Sequence, residues 1–266
     1  MCQPPEVQTM IRIFLPPDKL TSDKVVIDGE TARYLSIVLR TKPGEIVTIF
    51  DGYGHRYTCK ILQIQKKEVV VEQIKKEAFP SESPVAITLA QGLPKSGKMD
   101  LIVQKSTELG VGKIVPLITE RSQVRHTHKV ERWRKIALSA SQQSGRIKVP
   151  VITDPENLED YLSNRITQLA KGYIEDIKGI ELAHAAHIIF SEEYGQRNLK
   201  QTLTSLKDVR EISLLIGPEG GFTREEVSAA VDKGFIEASL GPRILRTETA
   251  PIAVISIIQY ELGDIG

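Results

Sequence analysis

The sequence predicts an α/β protein in two parts, a small β-rich barrel followed by a larger domain built on a largely parallel sheet. Three observations lead there. Short apolar runs broken by turns fill residues 11 to 74, such runs alternate with helix-like stretches from Val85 onward, and KKEAFPSESP (75–84) between them is polar with two prolines. A chain of 266 residues is long enough for one or two domains and a substantial core.

In the first part the runs are IRIFL, KVVID, EIVTIF, YTCKILQI and EVVVEQI, each of strand length and rich in β-branched residues. One helix-like stretch, ETARYLSIVLR, interrupts them and stops at the Lys42-Pro43-Gly44 turn. In the second part the strands are VAITLAQ, KIVPLIT, IIF, SLLIG and IEASL. A helix near 97–109 has Ser96 as its expected cap and Gly110 as its stop, and one near 128–144 runs from Thr127 to Gly145. Val130, Trp133, Ala137 and Ala140 recur at helical spacing, which makes Trp133 a core residue rather than a base-stacking one.

Composition narrows the function. Two cysteines, Cys2 and Cys59, exclude a disulfide framework and a multi-cysteine zinc site, and point to a reducing, cytoplasmic setting. No window of 18 apolar residues occurs and the first residues lack the pattern of a secretion signal, so the expectation is no membrane span. The net charge of +1 hides a segregation: residues 91–148 carry 12 basic and 4 acidic side chains, residues 149–266 carry 11 and 19. A central basic excess is either the footprint of a polyanion site or a solvated helix face.

Several motifs bear on chemistry. GLPKSGKM (92–99) nearly matches a phosphate-binding loop, but Met99 stands where a magnesium-binding hydroxyl is needed and Pro94 removes an amide, which argues against nucleotide hydrolysis. Lys98 and Lys105, seven apart on one helical face, are either RNA-backbone contacts or solvated lysines. IGPEGG (216–221) sits between a strand and a helix whose start is marked by a Thr223/Glu226 capping box and a Phe222/Val227 staple. Its glycines suit close approach of a ligand, or a structural turn. LGPRILRTET (240–249) occupies the next such position. Arg246 there is either a salt-bridge partner or a group that stabilises developing negative charge. The helix PIAVISIIQYEL that follows is apolar nearly all round and needs cover from its own sheet or from a second subunit. His184 and His187 lack a third ligand, so no metal is expected. The glycine loops come too late for a Rossmann enzyme.

IGPEGGF followed by LGPRILRTETA, together with MIRIFL (10–15), QGLPKSGKMDLIVQKSTELGV (91–111), RSQVR (121–125), SQQSGR (141–146) and FSEE (190–193), resembles the ribosomal RNA small subunit methyltransferase E family of the SPOUT superfamily. The resemblance spans nearly the whole chain. It implies a PUA-like barrel over 10–76 and a SPOUT α/β domain with a deep trefoil knot over 85–266. Residues 1–9 precede the family's usual start and are expected to be disordered or a start-site artefact. It further implies a homodimer that transfers a methyl group from S-adenosyl-L-methionine to N3 of uridine 1498 of 16S ribosomal RNA in the small subunit. By the same resemblance Phe190, Ser191, Glu192, Ile216, Gly217, Pro218, Glu219, Gly220, Gly221, Leu240, Gly241, Arg243, Ile244, Leu245 and Thr249 enclose the cofactor. Arg12, Lys98, Lys105, Arg121, Arg125, Gln143, Ser144 and Arg146 face RNA. Arg246 is assigned to charge stabilisation, with Glu248 orienting it or assisting proton removal. A non-catalytic RNA-binding protein is the alternative.

Overall fold

The computed structural model describes residues 11–65, 67–78, 82–164, 185–191, 197–206 and 208–266. The chain forms two compact units, one running to Glu82 and including Ser141–Val149, the other comprising Ser83–Ala140 and Pro150–Gly266.

The first unit holds β1 (Arg12–Phe14), β2 (Lys24–Asp28), β3 (Ile46–Phe50), β4 (His55–Ile64) and β5 (Glu68–Ala78) in the order β1-β3-β4-β5-β2. All pairings are antiparallel except β1 with β3. Among the described residues β1 and β2 do not pair, so the expected barrel is left open along one seam. Alternation drives the packing: in KVVID, Val25 and Ile27 are buried while Val26 faces outward. Ile13, Leu35, Ile49, Cys59, Ile61 and Val71 belong to the same core. Burial pushes the Cys59 thiol up to about 12, which leaves it protonated and unreactive. The helix-like ETARYLSIVLR is only partly helical. A short helix α1 (Gly29–Arg33) runs into a wider π-helical turn, Tyr34–Val38, and Arg40 takes a left-handed backbone that ends it.

Residues 141–149, expected with the second domain, group with the first unit, where an ion pair and backbone bonds hold them. Glu82 accepts from the Arg146 guanidinium at 2.6 Å and from the Lys148 amide at 3.1 Å.

In the second unit β6 (Ala86–Gly92), β7 (Lys113–Ile118), β8 (Val151–Ile152), β9 (Glu156–Asn157), β10 (Ala185–Phe190), β11 (Glu211–Ile216) and β12 (Ile236–Ala238) form one parallel sheet. Its order is β12-β10-β11-β6-β7-β8, with β9 also on β7. The chain enters mid-sheet at β6, winds outward to β8, and resumes on the other side. β11 pairs with β6, so the order reverses between them, the place where α/β sheets open a crevice at their carboxyl ends.

The described helices of this unit are α2 (Lys98–Glu108), α3 (Val130–Ser144, which continues into the first unit), α4 (Leu199–Thr204), α5 (Arg224–Asp232) and α6 (Thr249–Leu262). Trp133 is buried and its indole donates to Asp100. Two expected caps are not used. Ser96 adopts a left-handed backbone and Gly97 becomes the N-cap of α2 without a side-chain bond. Thr127 accepts from the Lys129 amide and stands three residues before α3, which starts at Val130. The Thr223/Glu226 capping box of α5 forms with both reciprocal bonds, and Phe222 and Val227 pack in one cluster. No described helix is long and apolar enough to cross a membrane.

Candidate functional site

At the carboxyl ends of β10, β11 and β12, the loops after these strands enclose a cleft of about 450 Å³, within the usual range for small-ligand sites. Phe190 and Ser191 come from the end of β10, Ile216 to Glu219 and Gly221 from the loop after β11, and Ser239 to Thr247 from the loop after β12. The loops are brought together by close backbone approach. A Cβ at Gly92, the last residue of β6, would lie 2.5 Å from Pro218 Cδ, and one at Gly217 would lie 2.9 Å from the Gly221 carbonyl carbon. Only glycine fits at either place.

The buried side chain of Gln91 ties the floor. Its amide nitrogen donates to the carbonyls of Gly92 and Gly217, both at 3.1 Å, and lies 3.3 Å from Thr247 Oγ1, which itself donates to the Gly217 carbonyl at 3.0 Å. The loop after β12 is different in kind. Among the described residues the amides of Leu240, Gly241, Ile244, Leu245 and Arg246 have no hydrogen-bond partner. Ile244 stands 78% exposed at the rim. Unpaired donors beside an uncovered apolar side chain suit a flat heterocycle with acceptor nitrogens.

Charge gathers at one end. Lys98 Nζ lies 3.0 Å from Glu219 Oε1 and 3.2 Å from Glu248 Oε2, while the Lys95 amide donates to the Glu219 carboxylate. The near-match to a phosphate loop thus holds a carboxylate of its own chain. The hydrogen bond that the Lys98 ammonium donates to Glu219 lifts the Lys98 pKa above the usual value, against partial desolvation and with help from Glu248. Burial pushes Glu219 up, but amide donors and Lys98 outweigh it and hold the carboxyl below the usual range. Arg243 and Arg246 line the cleft, and no bond to a described residue holds either guanidinium.

Several expected residues stand elsewhere. Thr249 is exposed in the first turn of α6 and does not line the cleft; Thr247 takes that place. Gly220 turns away, lining a neighbouring hollow with Arg121, whose guanidinium donates to the Gly220 carbonyl at 2.8 Å. Glu192 lies outside the described residues, as do His184 and residues 1–10. Glu248 engages Lys98, and among the described residues it makes no bond to Arg246.

Among the residues expected to face RNA, Arg146 is 7% exposed and its guanidinium bonds Glu82. Lys105 pairs with Glu108, and Arg125 donates to the Glu120 carbonyl. Arg12, Arg121, Gln143 and Ser144 are exposed. Much of the central basic excess is therefore neutralised locally; Arg132 meets Asp100 and Arg134 meets Glu131 and Asp154.

Sequence reasoning missed Gln91, Ser239, Pro242, Thr247 and Ala250. Gln91 carried a signal, a polar residue ending an otherwise apolar buried strand.

The chain matches the model of an RNA methyltransferase domain over residues 81–259 and of an RNA methyltransferase PUA domain over 27–74. It is 33% identical to the ribosomal RNA small subunit methyltransferase E of Buchnera aphidicola subsp. Acyrthosiphon pisum over 95% of this chain and 94% of that protein. With the enzyme of that name from Bacillus subtilis it shares 31% identity over 88% of this chain and 89% of the relative. A crystal structure of the ribosomal RNA small subunit methyltransferase E from Neisseria gonorrhoeae bound to S-adenosyl methionine superposes with a TM-score of 0.82 at 33% identity, covering 97% of this chain and all of the other. The chain, a PUA domain joined to a methyltransferase domain, belongs to the ribosomal RNA small subunit methyltransferase E family.

Proposed function

We propose that this chain transfers a methyl group from S-adenosyl-L-methionine to N3 of a uridine of 16S ribosomal RNA, the one at position 1498. The observation that carries the reading is the cleft over the carboxyl ends of β10–β12, lined by residues whose amides have no partner among the described residues, by the exposed Ile244 and by Arg246. The fit to the cofactor rests on those donors, on the apolar walls from Phe190, Ile216 and Leu245, and on loops too closely packed for side chains at Gly92 and Gly217. S-adenosyl-L-methionine, when bound, supplies an electrophilic methyl on a positively charged sulfur.

The chain's own residues do the rest. Uracil N3 carries a proton and is a poor nucleophile until that proton leaves, so the site must favour the uracil anion. In this reading the Arg246 guanidinium binds the uracil oxygens as negative charge grows on them, and Glu248 accepts the N3 proton. Lys98 fixes Glu248 and Glu219 together, which sets where both carboxylates stand. Holding the two reactants in one closed space supplies much of the rate.

The wider reading includes a deep trefoil knot through these loops, supported by the strand order and the tight crossing at Gly92 and Pro218. It also includes a homodimer formed through α6, which leaves Ile257 and Tyr260 exposed beside its buried face, and a cytoplasmic site of action, where ribosomal subunits are assembled. Arg12, Arg121, Gln143 and Ser144 remain the proposed RNA contacts.

The test is calorimetric titration with S-adenosyl-L-methionine, then transfer of a labelled methyl group to small ribosomal subunits with the modified nucleoside identified by mass and retention. Saturable binding and 3-methyluridine at one position are expected. A folded protein that binds no cofactor with subunits present, or that methylates another atom, overturns the proposal.

A further inference from the structure

The first unit carries a feature that the cofactor cleft does not use. Between β3 and β4 the chain turns through Asp51-Gly52-Tyr53-Gly54-His55, and the ring of Tyr53 is 74% exposed at the tip. A mobile loop would explain such a residue, but this turn is fixed from several directions. The buried carboxylate of Asp51 accepts from the amides of Tyr53 and His55 at 2.7 and 3.1 Å and engages His55 Nδ1 at 2.8 Å. Gly52 and Tyr53 bridge to Lys148, and the Val149 amide donates to the Gly52 carbonyl. Phe14 and Val149 pack where a Gly52 side chain would stand. An aromatic ring is thus presented to water on a backbone whose ordering is complete before any partner arrives.

The surroundings are cationic. Lys148 is exposed, and no described carboxylate pairs with its ammonium. The nearby acids are occupied: Asp51 by the turn, Glu82 by Arg146 and the Lys148 amide. The Arg12 guanidinium lies against Gly145 and likewise meets no described acid. Gly145 and Lys148 are three residues apart, so they stand within about 11 Å. Arg12, Lys148 and Tyr53 therefore share one stretch of surface. An exposed aromatic ring flanked by unpaired cations is the arrangement that binds unpaired bases by stacking and the neighbouring phosphates by charge.

We propose that Tyr53 stacks on an unpaired base of the RNA substrate while Lys148 and Arg12 engage the adjoining phosphates. This rests on the reading of RNA as the substrate and names a contact within it. The test uses the full chain and fluorescence anisotropy with single-stranded oligouridylate, oligoadenylate and an abasic ribose-phosphate oligomer. Tyr53→Ala is expected to weaken both base-bearing oligomers about ten-fold, with no change for the abasic one, while Tyr53→Phe binds as the unaltered protein does. Lys148→Ala should weaken all three and lower the salt dependence by about one phosphate contact. Because Tyr53 is exposed, an unchanged thermal transition and unchanged cofactor binding in Tyr53→Ala confirm that it folds.

Equal affinity of Tyr53→Ala and unaltered protein for the base-bearing oligomers overturns the stacking contact alone. Loss of binding by Tyr53→Ala to intact subunits, with oligomer binding unchanged, also overturns it and assigns the tip to a protein partner. If the unaltered protein methylates subunits but holds no oligomer, KM for subunits decides: a raised KM at constant kcat in Tyr53→Ala supports the contact, and an equal KM overturns it. An unaltered protein that neither binds nor methylates any RNA removes the substrate reading itself, a result distinct from the others.

Discussion

Lys98 Nζ stands 3.2 Å from Glu248 Oε2, and the same ammonium lies 3.0 Å from Glu219 Oε1, so one lysine at the start of α2 joins the loop after β11 to the start of α6. Replacing it by methionine keeps most of the stem and leaves two carboxylates facing each other. Lys98→Met is expected to weaken cofactor binding about ten-fold, read by calorimetry. Its effect on stability should depend on pH. The Glu219 pKa is lowered from its ordinary 4.5, so that contribution is present above 4.5 and is lost as pH falls through the folded value. The Lys98 pKa is raised from its ordinary 10.5, so that contribution is present below 10.5 and is lost as pH rises through the folded value. Denaturation curves of the two proteins should differ most between these limits and converge outside them.

Arg246 is, with Arg243, one of two cleft arginines that no bond to a described residue holds, and its removal tests charge stabilisation apart from binding. Arg246→Ala should lower kcat by about 100-fold, the usual loss when one donor to a developing anion is deleted. Calorimetry should return unchanged cofactor affinity. Full activity in the variant sinks the assignment.

The glycines of the loop after β11 are not equivalent. A Cβ at Gly217 would meet the backbone at Gly221, which cannot retreat without opening the loop. A Cβ at Gly220 would have the Arg121 side chain as its nearest neighbour, Cβ at 3.2 Å and Cδ at 3.4 Å, a tight contact that needs Arg121 to give by a few tenths of an ångström rather than a loop backbone to part. Gly217→Ala is therefore expected to abolish saturable binding of S-adenosyl-L-methionine, and Gly220→Ala to keep it. Equal loss in both would show that the loop depends on its amides rather than on close packing.

Patterning revealed both units and the loops that enclose the cleft, because strand alternation and glycine-rich strand ends are local signals. The capping box of Thr223 and Glu226 was legible for the same reason. What lay hidden was pairing between distant residues. Glu82 and Arg146 are 64 positions apart, and their bond is one of the contacts that hold residues 141–149 in the first unit rather than in the expected domain. Charge counting read Arg146 as part of a basic surface, whereas in the structure it is buried and paired with Glu82. Gln91 and Thr247 escaped notice because each works by hydrogen bonding to Gly217, far away in sequence.

The reassignment of Arg146 separates it from Arg12 by experiment. Arg146→Ala leaves Glu82 largely buried without its partner, which should cost roughly 3 kcal/mol in denaturant melts. Arg12→Ala removes an exposed cation and should leave the melt nearly unchanged, while the slope of RNA affinity against salt falls by about one contact. A variant of Arg146 that is fully stable but loses RNA affinity would return it to the RNA surface.

Gln259 offers the last test, because it is the polar residue among the buried residues of helix α6. The residue is fully buried, its amide nitrogen donates to the Leu109 carbonyl at 2.8 Å, and its oxygen accepts from Ser83 Oγ at 2.7 Å. It therefore ties the end of α2 and the first residue of the second unit to α6. Gln259→Leu has similar bulk but satisfies neither group, and an unpaired buried polar atom costs about 1–3 kcal/mol. For a unit of this size each kcal/mol lowers Tm by roughly 2–4 °C, so calorimetry should show a clear drop. Gln259→Glu probes the same bonds differently. A carboxylate has no hydrogen for the Leu109 carbonyl and repels it, so that variant should be the less stable of the two at neutral pH and recover as the side chain is protonated in acid. If Gln259→Leu melts like the unaltered protein, α6 is held by apolar packing alone and the two bonds contribute nothing net.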